Sequence, residues 1–211
     1  MDATEREYML YLPLYDGIHS LQIGVAAPSH IGQPSLPYPD TRKPIVFYGS
    51  SITQGACASR PGMAATNLIG RKLNVETINL GFSGNAFIDY EVAEMMAHVD
   101  ASAYVLDYVP NASPEQILEK TEKFVRILRE KHPDVPLIFV EDPIFPHSKF
   151  DLRMAKEIKD KNDAMNQAFS SLKKQGLKKI YLVKGRSLIS ANGESTVDGI
   201  HFTDCGFEQY V

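Results

Sequence analysis

The sequence predicts an α/β fold: a three-layer α/β/α sandwich whose central sheet has five parallel strands, preceded by a short N-terminal β segment. Five short apolar runs alternate with helical patterns between residues 45 and 183. Such alternation is typical of a parallel sheet covered by helices on both faces, as in flavodoxin-like proteins. The chain has 211 residues, of which 44% are hydrophobic. That is enough to bury one such core and too little for two large domains.

The first 44 residues have a pattern of their own. Residues 8–25 place apolar residues at alternate positions on both sides of Asp16 and Gly17, which predicts two short strands around a tight turn. A proline-rich stretch follows up to Pro44 and is interpreted as a linker. Since a lone hairpin is marginally stable in water, one interpretation of residues 1–44 is that they are the remnant of an upstream β domain.

Five runs rich in apolar, β-branched or aromatic residues are the predicted strands. They are Ile45–Tyr48, Val75–Leu80, Ala103–Leu106, Leu137–Val140 and Ile180–Val183. Runs of this kind suit strands that are buried on both faces. Ligands of such sheets bind beyond the carboxyl ends of the strands, so the residues that follow each run are the ones to inspect for function.

Helix signals lie between these runs. Ser113 as N-cap, Pro114 at the first helical position and Gln116 at the third form a capping-box pattern. A second helix is predicted over residues 151–175, with an apolar stripe on one side and lysines on the other. Residues 203–211 resemble the first turns of a third helix. Helices shorter than roughly 12 residues are marginal alone, so the domain of residues 45–211 is expected to be clipped at its C-terminus.

Composition and spacing exclude several classes of protein. The chain carries 22 Lys and Arg against 26 Asp and Glu; the basic residues are interspersed, so nucleic acid is not an expected partner. No apolar run is long enough to span a membrane, and no signal peptide is visible. Without CxxC or HExxH spacing, no metal or cofactor is expected. Cys57 and Cys205 are expected to be buried or half-buried thiols rather than a disulfide.

Chemically useful residues follow the predicted strands. Gly49-Ser50-Ser51 follows the first strand, residues 81–85 the second and Pro110-Asn111 the third, while Asp198-Gly199-Ile200-His201 lies beyond the fifth. Each segment alone reads as an ordinary turn. Together they contain a serine, a histidine three residues after a carboxylate, and glycine and asparagine N–H donors. Ester hydrolysis needs this set: a nucleophile, a base, a group that orients the base and donors for an oxyanion.

Three of these segments resemble the sequence blocks of the SGNH (GDSL-like) hydrolases. Residues 49–53 resemble the first block, with Ser50 in place of the usual Asp; residues 79–84 resemble the second block, and Asp198-x-x-His201 resembles the last. The resemblance covers roughly residues 43–211. It is nearest to the bacterial branch that reads GSSIT…RPGM…NLGFSGN, in which a β-sandwich commonly precedes the hydrolase domain, and this branch suggests a periplasmic or secreted protein.

The resemblance implies a serine esterase with a catalytic triad. Ser51 would be the nucleophile, His201 the base, and Asp198 the carboxylate that orients the histidine. Asp107 and Asp204 are the alternative partners for His201.

The resemblance also implies an oxyanion hole formed by the Ser51 N–H, the Gly84 N–H and the Asn111 side chain. The third block, usually Gly-x-Asn-Asp, is here residues 108–112 (YVPNA). Asn85 also lies close in sequence to the expected site, so it is an alternative donor and a candidate substrate contact.

The loop after the fourth strand, residues 142–150, is expected to form the rim of the site, with His147 as a further substrate contact. Connections after the first three strands are short and include no apolar lid. A short acyl group, most simply acetyl on a carbohydrate, is therefore the expected substrate. A long-chain acyl hydrolase (a lysophospholipase or thioesterase) and a non-catalytic flavodoxin-like binding module are the alternatives. The oligomeric state is left open.

Overall fold

The structure is a computed structural model that describes residues 4–35 and 42–211. Its sheet has five parallel strands in the order β2-β1-β3-β4-β5, which is the flavodoxin-like order. The strands are β1 (Ile45–Gly49), β2 (Thr77–Gly81), β3 (Ala103–Asp107), β4 (Leu137–Val140) and β5 (Ile180–Val183). The helices are α1 (Ser51–Gln54), α2 (Ala65–Leu73), α3 (Tyr90–Met96), α4 (Pro114–Lys131), α5 (Leu152–Lys174) and α6 (Asp204–Tyr210). The predicted fold class is confirmed.

Helices cover both faces of the sheet because successive strand residues point to opposite sides. Val46 and Tyr48 pack in the larger core, with apolar residues of α3, α4 and α5. Phe47, between them, points to the other face, where Ile69 of α2 and Tyr210 of α6 pack. Because β1 and β3 are parallel neighbours in the sheet, their carboxyl ends lie at the same edge.

The helix signals read from the sequence are found in the structure. The Ser113 hydroxyl accepts a hydrogen bond from the Gln116 N–H, and the Gln116 side chain accepts one from the Ser113 N–H, as a capping box requires. The Thr203 hydroxyl caps α6 by accepting from the Gly206 N–H. One lysine of α5 departs from the expected polar face: Lys161 is buried.

The predicted hairpin of residues 8–25 is not formed. Residues 4–35 contain no β-strand, and the apolar side chains of the segment, such as Tyr8 at 85%, remain largely exposed. Two short strands without a third strand or a surface to cover them bury too little to be stable. Residues 36–41 of the predicted linker lie outside the described residues. Within the described part of the chain, no helix is both long and apolar enough to cross a bilayer.

Candidate active site at the carboxyl edge of the sheet

Ser51 is the first residue of α1, directly after β1. The preceding Ser50 caps this short helix, because its hydroxyl accepts a hydrogen bond from the Ile52 N–H at 3.2 Å. Ser50 thus does at this turn what an aspartate N-cap would do. The backbone N–H of Ser51 donates to none of the described residues. It is therefore available to an acceptor outside the protein.

The end of β2 packs tightly against α1. A β-carbon at position 81 would lie 2.2 Å from the backbone nitrogen of Gln54, so only glycine fits there. The Asn79 amide nitrogen donates to the Thr53 carbonyl at 3.0 Å, and its amide oxygen accepts from the Gly81 N–H at 2.9 Å. These contacts fix the loop that follows β2 beside Ser51.

Gln54 connects this loop to the N-terminal segment. Its amide oxygen accepts from the Ser83 N–H at 2.9 Å, and its amide nitrogen donates to the Leu14 carbonyl at 3.1 Å. The sequence analysis does not single out Gln54, although its position three residues after Ser51, on the same short helix, was a signal. The N-terminal segment is therefore bonded, through one side chain, to the loop that carries Gly84.

Asp198 and His201 lie at the tip of a small hairpin. Thr196 and Phe202 form an antiparallel bridge at its base. His201 Nδ1–H donates to Asp198 Oδ2 at 2.6 Å, and the other carboxylate oxygen, Oδ1, accepts from the backbone N–H groups of Ile200 and His201. His201 Nε2 lies 2.9 Å from Ser51 Oγ. The three residues expected to form a triad are thus brought into one hydrogen-bonded chain.

The electrostatics of Asp198 favour its ionised form. Partial burial by itself raises the pKa of this carboxyl, but the hydrogen bonds from the His201 ring and from the two backbone N–H groups outweigh burial and lower the pKa to about 2. An ionised Asp198 keeps the proton of a neutral His201 on Nδ1. The lone pair of Nε2 then faces Ser51, as a general base requires.

A shared apolar cluster holds the serine turn and the histidine hairpin together. Its buried members include Ile52 next to the serine, Phe202 next to the histidine, and Phe207 of α6. The rings of Phe202 and Phe207 meet edge to face at 5.4 Å. The distance between Ser51 and His201 is therefore set by packing as well as by their hydrogen bond.

The two candidate asparagines are held differently. Asn111 is half-buried, and its amide oxygen accepts from the Ala86 N–H at 3.2 Å, which leaves both amide hydrogens without an acceptor among the described residues. The exposed Asn85 uses its amide group within its own loop, donating to the Ser83 carbonyl at 2.8 Å. The buried Lys161 ammonium donates to the Pro110 carbonyl at 3.0 Å and so helps to hold the backbone next to Asn111.

Gly84, the other candidate oxyanion donor, lies exposed in the loop after β2 with a backbone φ of 69°. Its N–H donates to none of the described residues. The N–H groups of Ser51, Gly84 and the Asn111 side chain are therefore not used by residues 4–35 or 42–211.

The alternative partners of His201 have other contacts. Asp107 accepts hydrogen bonds from the hydroxyls of Thr53 and Tyr210, at 2.8 Å and 2.7 Å. Complete burial raises the pKa of Asp107 to about 7, even though both hydrogen bonds lower it. Asp204 accepts from Ser59 and pairs with Arg60. Neither carboxylate contacts His201, so Asp198 alone among the three does so.

The loop after β4 is more buried than expected. Asp142 is enclosed, its Oδ1 has no hydrogen-bond partner, and burial raises its pKa to about 7. Asp142 therefore does not belong to the rim. The His147 ring lies against the histidine hairpin, since a β-carbon at Gly199 would be 2.8 Å from its Cε1. It also stacks on Phe145 at 6.2 Å.

The two cysteines are free, as expected, but both are exposed, which contradicts the expectation of buried or half-buried thiols. Cys57 sits in the turn after α1. The exposed Cys205 lies in the first turn of α6, and its sulfur accepts from the Gln209 amide at 3.3 Å.

Two grooves of the described surface lie apart from the triad. One, of about 470 Å³, runs beside β4 and α5 and is bordered by Glu141, Asn166 and Lys184. The other, of about 490 Å³, lies at the opposite edge of the sheet, next to Ile45 and Leu73. Neither contains a residue of the triad. Asp198 of the triad is exposed, and so are Gly84 and Asn85 in the loop after β2.

An α/β sandwich with a serine, a histidine and an aspartate at the carboxyl edge of its sheet is the architecture of an SGNH-type hydrolase. Residues 42–211 match the family described as GDSL-like Lipase/Acylhydrolase, and residues 1–31 match the segment described as the N-terminus of Esterase_SGNH_hydro-type. The chain therefore belongs to the GDSL-like lipase/acylhydrolase family. The predicted resemblance is confirmed.

Solved structures agree with this assignment. A structure from Bacteroides ovatus described as a GDSL-like lipase is 42% identical, with a TM-score of 0.89, and the match covers 95% of this chain and 58% of that chain. This chain thus spans well under two thirds of that protein.

More distant structures share the fold. A salicylyl-acyltransferase from a tetracycline biosynthetic pathway is 17% identical, with a TM-score of 0.70, over 80% of this chain and 52% of that chain. The carbohydrate acetylesterase Est24 from Sinorhizobium meliloti is 16% identical, with a TM-score of 0.57, over 80% of this chain and 94% of that chain. No curated protein matches the sequence.

Proposed function

We propose that the protein is a serine esterase in which Ser51, His201 and Asp198 act as a catalytic triad. The observation that carries this proposal is the hydrogen-bonded chain from Ser51 Oγ to His201 Nε2 at 2.9 Å and from His201 Nδ1 to Asp198 at 2.6 Å. Both distances lie within the range in which a base can take a proton from a nucleophile.

The proposed reaction proceeds through an acyl-enzyme. Ser51 Oγ attacks the ester carbonyl carbon while His201 Nε2 takes the hydroxyl proton. The oxyanion that forms accepts hydrogen bonds from the N–H groups of Ser51 and Gly84 and from the Asn111 amide. His201 then gives its proton to the leaving alcohol as the C–O bond breaks. A water, deprotonated in turn by His201, releases the carboxylic acid and restores Ser51.

A fluorophosphonate probe tests the reaction class directly. The intact protein should be labelled covalently on Ser51, because only an activated serine attacks phosphorus at a useful rate. Ser51→Ala should be unlabelled and His201→Ala labelled far more slowly. An intact protein that stays unlabelled would favour the non-catalytic binding module instead.

The substrate proposed is a short acyl ester, most simply an acetyl group on a carbohydrate. The exposed polar surroundings of the triad, among them Gly84 and Asn85, support this. Phe82 and Ile200, each 39% exposed, and Val197, 61% exposed, offer apolar surface near the loop after β2 and the histidine hairpin, which a short acyl group could contact. The fold likeness to a carbohydrate acetylesterase points the same way.

Acyl length is decided by comparing kcat/KM for nitrophenyl acetate and nitrophenyl octanoate. Six extra methylenes would add roughly 5 kcal/mol of binding at about 0.8 kcal/mol each, but only in a site able to bury them. The acetate should therefore be the better substrate, and acetate should be released from an acetylated sugar. A higher value for the octanoate would favour a lysophospholipase or thioesterase.

A further inference from the structure

A cysteine meets the histidine and the aspartate of the proposed triad. Sγ of Cys57, a carboxylate oxygen of Asp198 and a ring nitrogen of His201 all lie within 4.8 Å of one another. Cys57 and Asp198 are exposed and His201 is half-buried, so an ion in solution can reach all three. The proposed hydrolysis makes no use of Cys57.

Local backbone hydrogen bonds fix the turn that precedes Cys57. The N–H groups of Gly55 and Ala56 both donate to the Ser51 carbonyl, at 3.0 Å and 2.9 Å. Cys57 follows with a φ of 67°, a left-handed conformation that few residues other than glycine adopt. The thiol is thus held beside the histidine hairpin by the same turn that presents the nucleophile.

Thiolate, imidazole and carboxylate are the ligands that Zn²⁺ takes in proteins, and three protein ligands with a water in the fourth position form a common accessible site. With bonds of about 2.0–2.3 Å, the donor atoms of a tetrahedral zinc lie roughly 3.5 Å apart. Because no separation in the cluster exceeds 4.8 Å, none has to shorten by more than roughly 1.3 Å, which small rotations of two exposed side chains can supply. A sulfur ligand favours Zn²⁺ or Cd²⁺ over Mg²⁺.

We propose that Cys57, Asp198 and His201 form a binding site for a thiophilic divalent cation such as Zn²⁺, and that the bound ion inhibits the esterase reversibly. Cys57 releases its proton to solvent and binds as the thiolate. A metal on His201 Nε2 removes the proton acceptor of Ser51, and a metal on Nδ1 replaces the hydrogen bond to Asp198. Either geometry disables the base. The inhibition rests on the proposed function, whereas the binding does not.

Cadmium tests the binding without any need for activity, because a cadmium–thiolate bond has a charge-transfer absorption in the ultraviolet. Titrating the intact protein with Cd²⁺ should produce this band, and EDTA should remove it. Cys205→Ala, which removes the other exposed thiol, should keep the band, and so should Ser51→Ala. The band should be lost in Cys57→Ala and should need much more Cd²⁺ in His201→Ala. A band that persists in Cys57→Ala overturns the site.

Zinc inhibition of nitrophenyl acetate hydrolysis is the second measurement. Changing an outer-shell partner of a metal ligand costs about 10–100-fold in affinity, and losing a ligand should cost at least as much. The half-inhibiting Zn²⁺ concentration should rise by that factor in Cys57→Ala and stay unchanged in Cys205→Ala, while Mg²⁺ should not inhibit. Equal inhibition of Cys57→Ala and the intact protein would refute the proposal. A protein that hydrolyses no ester would refute the proposed function, and the cadmium band would still decide the site.

Discussion

The hydroxyl oxygen of Ser51 lies 2.9 Å from Nε2 of His201, although the two residues are 150 positions apart in the sequence. Ser51→Ala removes the proposed nucleophile without disturbing the cap of α1, which belongs to Ser50. We expect hydrolysis of nitrophenyl acetate to fall by up to about 10⁶-fold, the loss measured for a triad serine elsewhere, with little change in Tm.

Ser50→Ala is the matched control for that variant. It removes the side chain that caps α1 and should lower the free energy of unfolding by about 1 kcal/mol, while most of the activity survives. If Ser51→Ala keeps more than a few per cent of the activity, Ser51 is not the nucleophile.

Asp198→Asn should slow hydrolysis strongly, because an amide in place of Asp198 no longer fixes the proton of His201 on Nδ1. The corresponding change in a serine protease costs about 10⁴-fold in kcat. Asp204→Asn is the control: Asp204 bonds Ser59 and not His201, so its rate should stay near that of the intact protein. The assignment fails if kcat/KM of Asp198→Asn matches that of Asp204→Asn.

Asn111→Ala should lower kcat by about 10²–10³-fold with little change in KM, the effect of losing one oxyanion donor. Asn85→Ala, whose amide is already bonded to the Ser83 carbonyl, should have a much smaller effect on kcat. Steady-state kinetics on both variants decide between them. The reverse result would move the oxyanion role to Asn85.

Gln54 should affect the rate through the loop that it holds. Gln54→Ala frees the Ser83 N–H, so Gly84 is less well placed and kcat should drop with KM nearly constant. Gln54→Glu keeps an oxygen for Ser83 but loses the donor to Leu14, and should recover most of the rate. If both variants were as fast as the intact protein, the Gln54 side chain would have no role in positioning Gly84.

Asp107 should make stability depend on pH. Its pKa rises from an ordinary 3.8 to about 7 on folding, so the folded state holds the proton more tightly. The stabilisation is complete below about pH 4 and is lost as the pH rises through 7. Asp107→Asn stays neutral, and its amide oxygen can accept from both Thr53 and Tyr210. The difference in Tm, Asp107→Asn minus the intact protein, should therefore increase between pH 4 and pH 8.

The exposed Asp16 gives the control for this measurement, since the Tm of Asp16→Asn should stay parallel to that of the intact protein across the same range. A Tm difference for Asp107→Asn that does not change with pH would mean that Asp107 titrates normally in the folded protein.

Local patterns predicted most of the fold. The predicted bounds of β1 and β3–β5 match the observed strands almost residue for residue, and the cap at Ser113 is as predicted. Both features are encoded by neighbouring residues: burial on both faces gives an apolar run, and capping gives a fixed spacing of polar residues. The grouping of Ser51 with His201 also followed, because the carboxyl ends of parallel strands meet at one edge. These predictions needed no knowledge of distant contacts.

Features that depend on distant packing were missed. Asp142 reads as a rim residue in a polar loop, and its burial emerges only when α5 packs over the end of β4. Residues 8–25 had the right alternation for a hairpin, but they form no strand, and the Leu14 carbonyl instead accepts from the distant Gln54 side chain. Cys57 reads as a small apolar residue, and nothing near it in the sequence places its sulfur beside Asp198 and His201.

The wide separation of Ser51 and His201 along the chain also sets the order in which the site is made. A ribosome adds roughly 5–20 residues per second, so about 7–30 s pass between the synthesis of the serine and that of the histidine. Ser51 is made first, Gly84 and Asn111 follow within this interval, and the proposed base His201 is made last. On the proposed function, the nascent chain should therefore not hydrolyse esters until the histidine hairpin and α6 pack against the serine turn.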